Sequence, residues 1–253
     1  MVTLQRPVGN GSDNRTADVR LVQQLLNRFR PAGAHLLRVD GGITPDVLLA
    51  IVDFQRRVAG FAHPDGIVDP GGKTLTALCG GRTDALQIAW GAKVSAAFKQ
   101  KAIALCDRLS VPVDFLMSAM AFESGESFSP SVKNAAGSGA VGLIQFMPST
   151  ALGLGTTADK LAAMSAEDQL DVVEKYFSPK KGQLHSLEDV YMNILLPSAI
   201  GHAPTFVLFP GGTKAFDLNR GLDINHDGTI TVEEAASKVR AKFERGIQPG
   251  FLA

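Results

Sequence analysis

A single glutamate, Glu123, closes the apolar run Phe115-Leu116-Met117-Ser118-Ala119-Met120-Ala121-Phe122, and Gly125 follows it. Leu116, Met120 and Glu123 stand at i, i+4 and i+7, so a helix there places all three on one face. That face is otherwise apolar and packs on a core. A carboxyl held on it loses hydration, and its pKa rises. Such a group donates a proton near neutral pH, the chemistry needed to protonate a glycosidic oxygen. The plain alternative is a helix-end glutamate that reaches water past Gly125.

A glycine-rich stretch follows, Ser138-Gly139-Ala140-Val141-Gly142-Leu143-Ile144-Gln145-Phe146-Met147-Pro148. Its glycines let backbone approach a bulky substrate closely. Glycosidases that use two carboxylates hold them across the scissile bond, and Glu126, Asp159, Glu167 and Asp168 are the available second acids. Glu126 reads as a solvated loop charge, and Asp168 as part of a helix start after Ser165.

Glu123-Ser124, Phe128 and the Gly139–Pro148 stretch together resemble the lytic transglycosylase family, which has a goose-type lysozyme-like fold. The resemblance spans roughly residues 94–204. It implies that Glu123 is the acid/base and that Gln145 contacts the sugar chain, with Ser138 and Phe146 beside it. A third family motif, Ala-Tyr-Asn-Ala-Gly, is matched only by Tyr191-Met192-Asn193, which implies that Tyr191 and Asn193 line the cleft. The serine usual before the Gly-Ala pair is Ala136 here. The family works with one glutamate: the substrate's N-acetyl group assists, and the muramic acid 6-hydroxyl attacks to leave a 1,6-anhydro sugar. Water in place of that hydroxyl makes the same site a lysozyme.

Near the C-terminus, Asp223-Ile224-Asn225-His226-Asp227-Gly228-Thr229-Ile230-Thr231-Val232-Glu233-Glu234 fits the EF-hand loop pattern. Asp223, Asn225, Asp227, the Thr229 carbonyl and Glu234 are the expected calcium ligands, with Gly228 at the sharp turn and Ile230 anchored in the core. The alternative is an Asp/Asn-rich turn that caps the following helix, Val232 to Phe243. EF-hands usually pair and no second loop is visible, so the expected ion is structural.

These residues need elements to hold them. In the second part of the chain, Asp114 is expected to cap the helix that ends at Glu123, while Ser165 and Ser186 each start a helix with an acidic first turn. Pro197 ends the last of these. In the first part, one helix is expected from about Asp18 to Phe29, with Val19, Val22, Leu26 and Phe29 on one face. A second starts at Thr44-Pro45 and carries Val47, Leu48, Ile51, Val52 and Phe54, and a third starts at Asp69-Pro70. Asp40-Gly41-Gly42-Ile43-Thr44-Pro45 echoes Asp65-Gly66-Ile67-Val68-Asp69-Pro70, so each turn feeds a capped helix. This layout, with Val52-Asp53-Phe54-Gln55, resembles the peptidoglycan-binding type 1 domain. The expected architecture is mainly α: a three-helix peptidoglycan-binding module at 1–80, a linker at 81–92 that begins in the Gly80-Gly81-Arg82-Thr83 stretch, and a lysozyme-like α domain at 93–253. A three-helix spacer or protein-docking module is the bland alternative for the first part.

The net formal charge is zero, which argues against a nucleic-acid partner or electrostatic membrane binding. The first 83 residues carry ten lysines and arginines against seven acidic residues, and the remainder has the opposite excess. Cys79 and Cys106 are too few for a disulfide framework and read as buried thiols. The five histidines are scattered; His202 is the one that could line a cleft. No stretch is apolar enough to insert in a membrane, and the N-terminus shows no signal core. Action in the bacterial periplasm or cell wall then implies delivery by phage lysis machinery or a secretion system, with an immunity protein as a further partner. The expected partners are peptidoglycan glycan strands, met by a monomer. The rival readings are a non-catalytic wall-binding protein and a chitin hydrolase.

Overall fold

The computed structural model describes residues 2–31, 34–80, 86–134 and 137–253. It is mainly helical, with eleven α-helices and two small two-stranded sheets among the described residues. The chain divides into two compact units, Met1–Gln87 and Ile88–Ala253.

In the first unit, β1 (Val8–Gly9) leads into α1 (Thr16–Asn27), then α2 (Pro45–Arg57), β2 (Ile67–Val68) and α3 (Lys73–Leu78). The strands pair antiparallel, Val8 opposite Val68 and Gly9 opposite Ile67. Val19, Val22, Leu25 and Leu26 of α1 are buried with Val47, Ala50, Ile51 and Phe54 of α2 and Leu75 and Leu78 of α3, and Phe29 packs at the edge. Thr44 caps α2 as expected: its side chain accepts from Val47 N–H, and Pro45 is the first helical residue. The third helix starts later than its Asp-Pro signal. Asp69-Pro70 instead opens a turn closed by Gly72 N–H donating to Asp69 O, with Gly71 at φ +68°, and α3 begins at Lys73. Proline then glycine at the centre of a four-residue turn is the type II preference, and it overrides the helix start.

The repeated Asp-Gly turns have a common cause. The side chain of Gln23 donates to Asp40 Oδ1 and Gly42 O and accepts from Gly41 N–H. Gln55, fully buried, donates to Asp65 Oδ1 and Ile67 O and accepts from Gly66 N–H. Each helix thus clamps one turn with a glutamine, and burial of a fully satisfied amide makes the clamp specific.

The expected linker is shorter than 81–92. Residues 81–85, including Gly81, Arg82 and Thr83, lie outside the described residues, and Leu86 packs on the first core. Ile88, Ala89 and Trp90 are fully buried and belong to the second unit.

The second unit runs through α4 (Ala96–Leu109), α5 (Val113–Glu123), α6 (Pro148–Gly153), α7 (Ala158–Ala162), α8 (Ala166–Phe177), α9 (Leu187–Leu195), β3 (Val207–Pro210), α10 (Lys214–Asn219), β4 (Thr229–Thr231) and α11 (Val232–Gly246). The central helix is α5, buried from Val113 to Ala121; α11, α9 and α4 pack on it. All-round apolarity is what a helix enclosed on several sides requires. Ser165 and Ser186 cap α8 and α9 as expected, Ser186 through a reciprocal box with Asp189. Asp114 does not cap α5. Pro112 occupies the cap position, and the buried Asp114 carboxylate accepts the Ala89 N–H at 2.9 Å, tying the start of the unit to its central helix. Trp90 secures the same junction: its indole N–H donates to Lys242 O, and any Cβ at Gly246 would sit 2.4 Å from that nitrogen. Both cysteines are buried free thiols.

Candidate active site and acidic loop

Glu123 ends α5, where the apolar helix meets solvent. Leu116 and Met120, on its face, are fully buried. Burial alone pushes the Glu123 carboxyl up to about 7, and among the described residues no ion pair or hydrogen bond offsets it. The next residues turn sharply away. Ser124 donates its hydroxyl to Met120 O and accepts from Phe128 N–H, and Gly125 and Glu126 both take positive φ.

Two tyrosines lie within electrostatic reach of this carboxyl. Tyr191 of α9 lies edge-on to Phe122, with ring centroids 5.5 Å apart, and Tyr176 of α8 donates its hydroxyl to Asn193 O at 2.7 Å. Both phenols are raised above their ordinary value, first by burial and then by the negative charge of Glu123. Tyr176 also lines a small cavity of about 50 Å³ with Gln145, Phe146, Met147 and Ile194. It therefore joins Asn193 to the Gln145 stretch, within electrostatic reach of Glu123.

Sequence reasoning missed Tyr176. In α8 its neighbours Val172, Val173 and Phe177 are core residues, so a tyrosine among them reads as packing. The available signal was its polar tip, since a tyrosine at the edge of an apolar face usually carries its hydroxyl to a partner.

The other sequence candidates sort by geometry. Gln145 has φ +50°, and its amide nitrogen donates to Val132 O and Gly142 O, so the NH2 group braces its own loop. Phe146 is only 2% exposed and packs edge-on to Tyr176; it backs the cavity as a core residue, contrary to the expected sugar contact. Asn193 is buried, and its Nδ2 has no partner. Ser138 is exposed and accepts from Ala140 N–H, a turn role. Ala136 lies outside the described residues. His202 stacks on Phe206, with ring centroids 3.9 Å apart.

Gln169 organises the glycine-rich loop. Its side chain accepts from Leu143 N–H and donates to Pro130 O and Leu161 O. Gly142, at φ +86°, makes room for it, since a Cβ there would lie 2.3 Å from Gln169 Oε1.

Two of the proposed second acids are engaged elsewhere. Glu126 is no solvated loop charge: it is mostly buried and accepts from Lys242 Nζ at 2.6 Å and Arg245 at 3.1 Å, both on α11. Glu167 accepts from Ser95, Asp168 sits in the first turn of α8, and Asp159 is exposed in α7.

The acidic loop caps the helix that follows it. Gly228 has φ +82°, Ile230 is fully buried, and Thr231 and Glu234 form a capping box on α11. The lone loop finds a partner other than a second EF-hand: its strand β4 pairs antiparallel with β3, Ile230 opposite Phe209. Carboxylate oxygens of Asp223, Asp227 and Glu234 lie within 4.8 Å of one another. Oxygens at about 2.3–2.6 Å from one calcium ion can be up to about 5 Å apart. Asp223 Oδ1 and Glu234 Oε1 are buried with no hydrogen-bond partner. Unsatisfied carboxylate oxygens converging in one loop are costly unless a cation meets them. Asn225 and Asp227 are exposed and bond each other and Thr229. The donor set fits a hard cation.

The chain matches no family model and no curated protein. Among the described residues, no helix is long and apolar enough to cross a membrane.

Proposed function

We propose that this chain is a peptidoglycan-cleaving glycosidase acting on the β-1,4 bond between N-acetylmuramic acid and N-acetylglucosamine. The observation that carries the reading is Glu123: a carboxyl kept protonated near neutral pH by burial alone, at a helix end close enough to two tyrosines for its charge to act on both. Protonated Glu123 gives its proton to the oxygen of the departing N-acetylglucosamine. The resulting carboxylate then takes the proton of the muramic acid 6-hydroxyl as that oxygen bonds to C1, leaving a 1,6-anhydro end. No water is consumed. Engagement of Glu126 and Glu167 elsewhere favours this one-carboxylate route over a paired-carboxylate hydrolysis. In this reading Tyr176 borders the sugar site, and Tyr191, Asn193 and Gln145 shape it from behind. The first unit is the wall-binding module, and by holding an insoluble polymer it raises the local substrate concentration. Calcium, held by Asp223, Asn225, Asp227, Thr229 and Glu234, supplies charge compensation in the loop and takes no part in bond cleavage.

The inward-turned amide of Gln145 favours one rival, a wall-binding protein that keeps the fold without cleavage. Digestion of purified peptidoglycan, with products identified by mass spectrometry and Glu123→Gln as control, separates the readings. Anhydro-muramic ends establish a lytic transglycosylase and reducing muramic ends a lysozyme; intact wall establishes the binding protein.

A further inference from the structure

The chain has four places where an Asn or Asp precedes glycine: Asn10-Gly11, Asp40-Gly41, Asp65-Gly66 and Asp227-Gly228. At such a pair the glycine amide nitrogen attacks the preceding side-chain carbonyl carbon and closes a five-membered imide. Glycine leaves that approach open because it carries no side chain. The nitrogen must give up its proton, so a hydrogen bond that engages the N–H holds the reaction back.

The structure separates the four pairs. Gly41 N–H donates to Gln23 Oε1 at 2.8 Å, Gly66 N–H to Gln55 Oε1 at 2.9 Å and Gly228 N–H to Asp223 Oδ2 at 3.3 Å. The acidic side chains are held as well. Asp40 Oδ1 accepts from Gln23 and Gly42 N–H, Asp65 Oδ1 from Gln55 and Ile67 N–H, and Asp227 Oδ1 from Thr229. Asn10 and Gly11 are exposed in the turn after β1, and among the described residues neither the Gly11 N–H nor the Asn10 carboxamide has a partner. A Cβ at Gly11 would meet nothing within 4 Å, so an imide ring has room there.

We propose that Asn10 is a site of spontaneous deamidation in the folded chain, with water as the only co-reactant. The Gly11 nitrogen bonds to Asn10 Cγ, and the Cγ–NH2 bond breaks; ammonia leaves, carrying the amide proton. Water then opens the imide. Cleavage of the nitrogen–Cγ bond gives aspartate, and cleavage of the nitrogen–main-chain carbonyl bond gives isoaspartate. Isoaspartate adds a methylene to the main chain in a stretch without slack. Asn14 brackets Gly9, accepting its N–H at 2.8 Å and donating to its carbonyl at 2.9 Å, and a Cβ at Gly9 would lie 2.1 Å from Gly66 O. The strain passes to β1, which loosens from β2. Gln23 and Gln55 thereby shield the two Asp-Gly turns they clamp from the same chemistry. The inference stands apart from the wall-directed reading.

The test incubates the full chain in mildly alkaline buffer, native and in urea. Each of the four peptides is followed by mass spectrometry, with isoaspartate scored by enzymatic methylation. Native Asn10 should convert within about tenfold of its rate in urea, while the three Asp-Gly pairs, which react only after local opening, should each be slowed by more than about tenfold. Asn10→Ser should abolish the acidic form that accumulates on ion exchange. Amide exchange at Val8 and Val68 should quicken in the aged chain. Native Asn10 that stays intact while the unfolded chain converts overturns the proposal, as does equal slowing at all four pairs. Unchanged exchange at Val8 in converted protein overturns the loosening of β1.

Discussion

Replacing Glu123 by glutamine should make stability depend on pH in a way that isolates this one carboxyl. Its folded value of about 7 lies above the ordinary 4.5. Between those values the native state binds more protons than the unfolded chain, so wild-type stability is full below about 4.5 and falls as pH rises through about 7. The gap corresponds to roughly 3 kcal/mol. Glutamine fills the same space without charge and removes the loss. The stability of Glu123→Gln relative to wild type should therefore climb by about 3 kcal/mol from pH 4 to pH 8 and then level off. Trp90 is the only tryptophan and is fully buried in the same unit, so its fluorescence during urea unfolding follows the right transition. The same titration sets the activity profile: kcat/KM should fall above about 7 as the proton donor ionises. A stability difference flat across this range would refute the desolvation argument, and with it the assignment of the acid.

Other residues give sharper local tests. Adding calcium to chelated protein should raise stability by about 2.7 kcal/mol at a hundredfold excess over Kd; Asp223→Asn should blunt the gain, and a chelator-insensitive melting temperature would reduce the loop to a helix cap. Glu126→Ala leaves Lys242 and Arg245 without their acceptor and should cost on the order of 1–3 kcal/mol by urea unfolding, with a neutral result arguing that the α5–α11 tie is idle. Gly142→Ala forces a Cβ onto Gln169 at positive φ and should cost about 3 kcal/mol together with wall cleavage, whereas Gly153→Ala, with open space around it, should leave both unchanged. Tyr176→Phe should keep the fold but lower kcat more than it changes KM for wall fragments; an unchanged kcat would leave Tyr176 as packing only.

What was legible in the sequence was what neighbouring residues settle among themselves. Thr44-Pro45, Ser165 and Ser186 announce helix starts because a cap is a bond between residues three apart. The Asp223–Glu234 loop is legible for the same reason, as twelve residues satisfy its turns internally. Glu123 could be placed by periodicity, because an all-apolar helix implies enclosure on several sides. The misreadings share a different cause. Asp114 looked like a cap until Ala89, twenty-five residues earlier, supplied a buried N–H that outcompeted the local one. Glu126 looked solvated because its two cations come from α11, more than a hundred residues later. β3 carries no signal that it will serve a loop twenty residues on. Tyr176 joins α8 to two other segments by one hydroxyl and one ring edge, and helical periodicity in α8 describes only the ring. An active site draws its groups from segments far apart in sequence, so the one carboxyl that periodicity can place is also the one whose partners it cannot name. The glutamine clamps narrow this limit. Gln23 and Gln55 each stand on a helix that precedes its Asp-Gly turn, and a repeat of helix, glutamine and Asp-Gly is visible as text. Where a long-range contact recurs within one chain, repetition makes it readable without any structure.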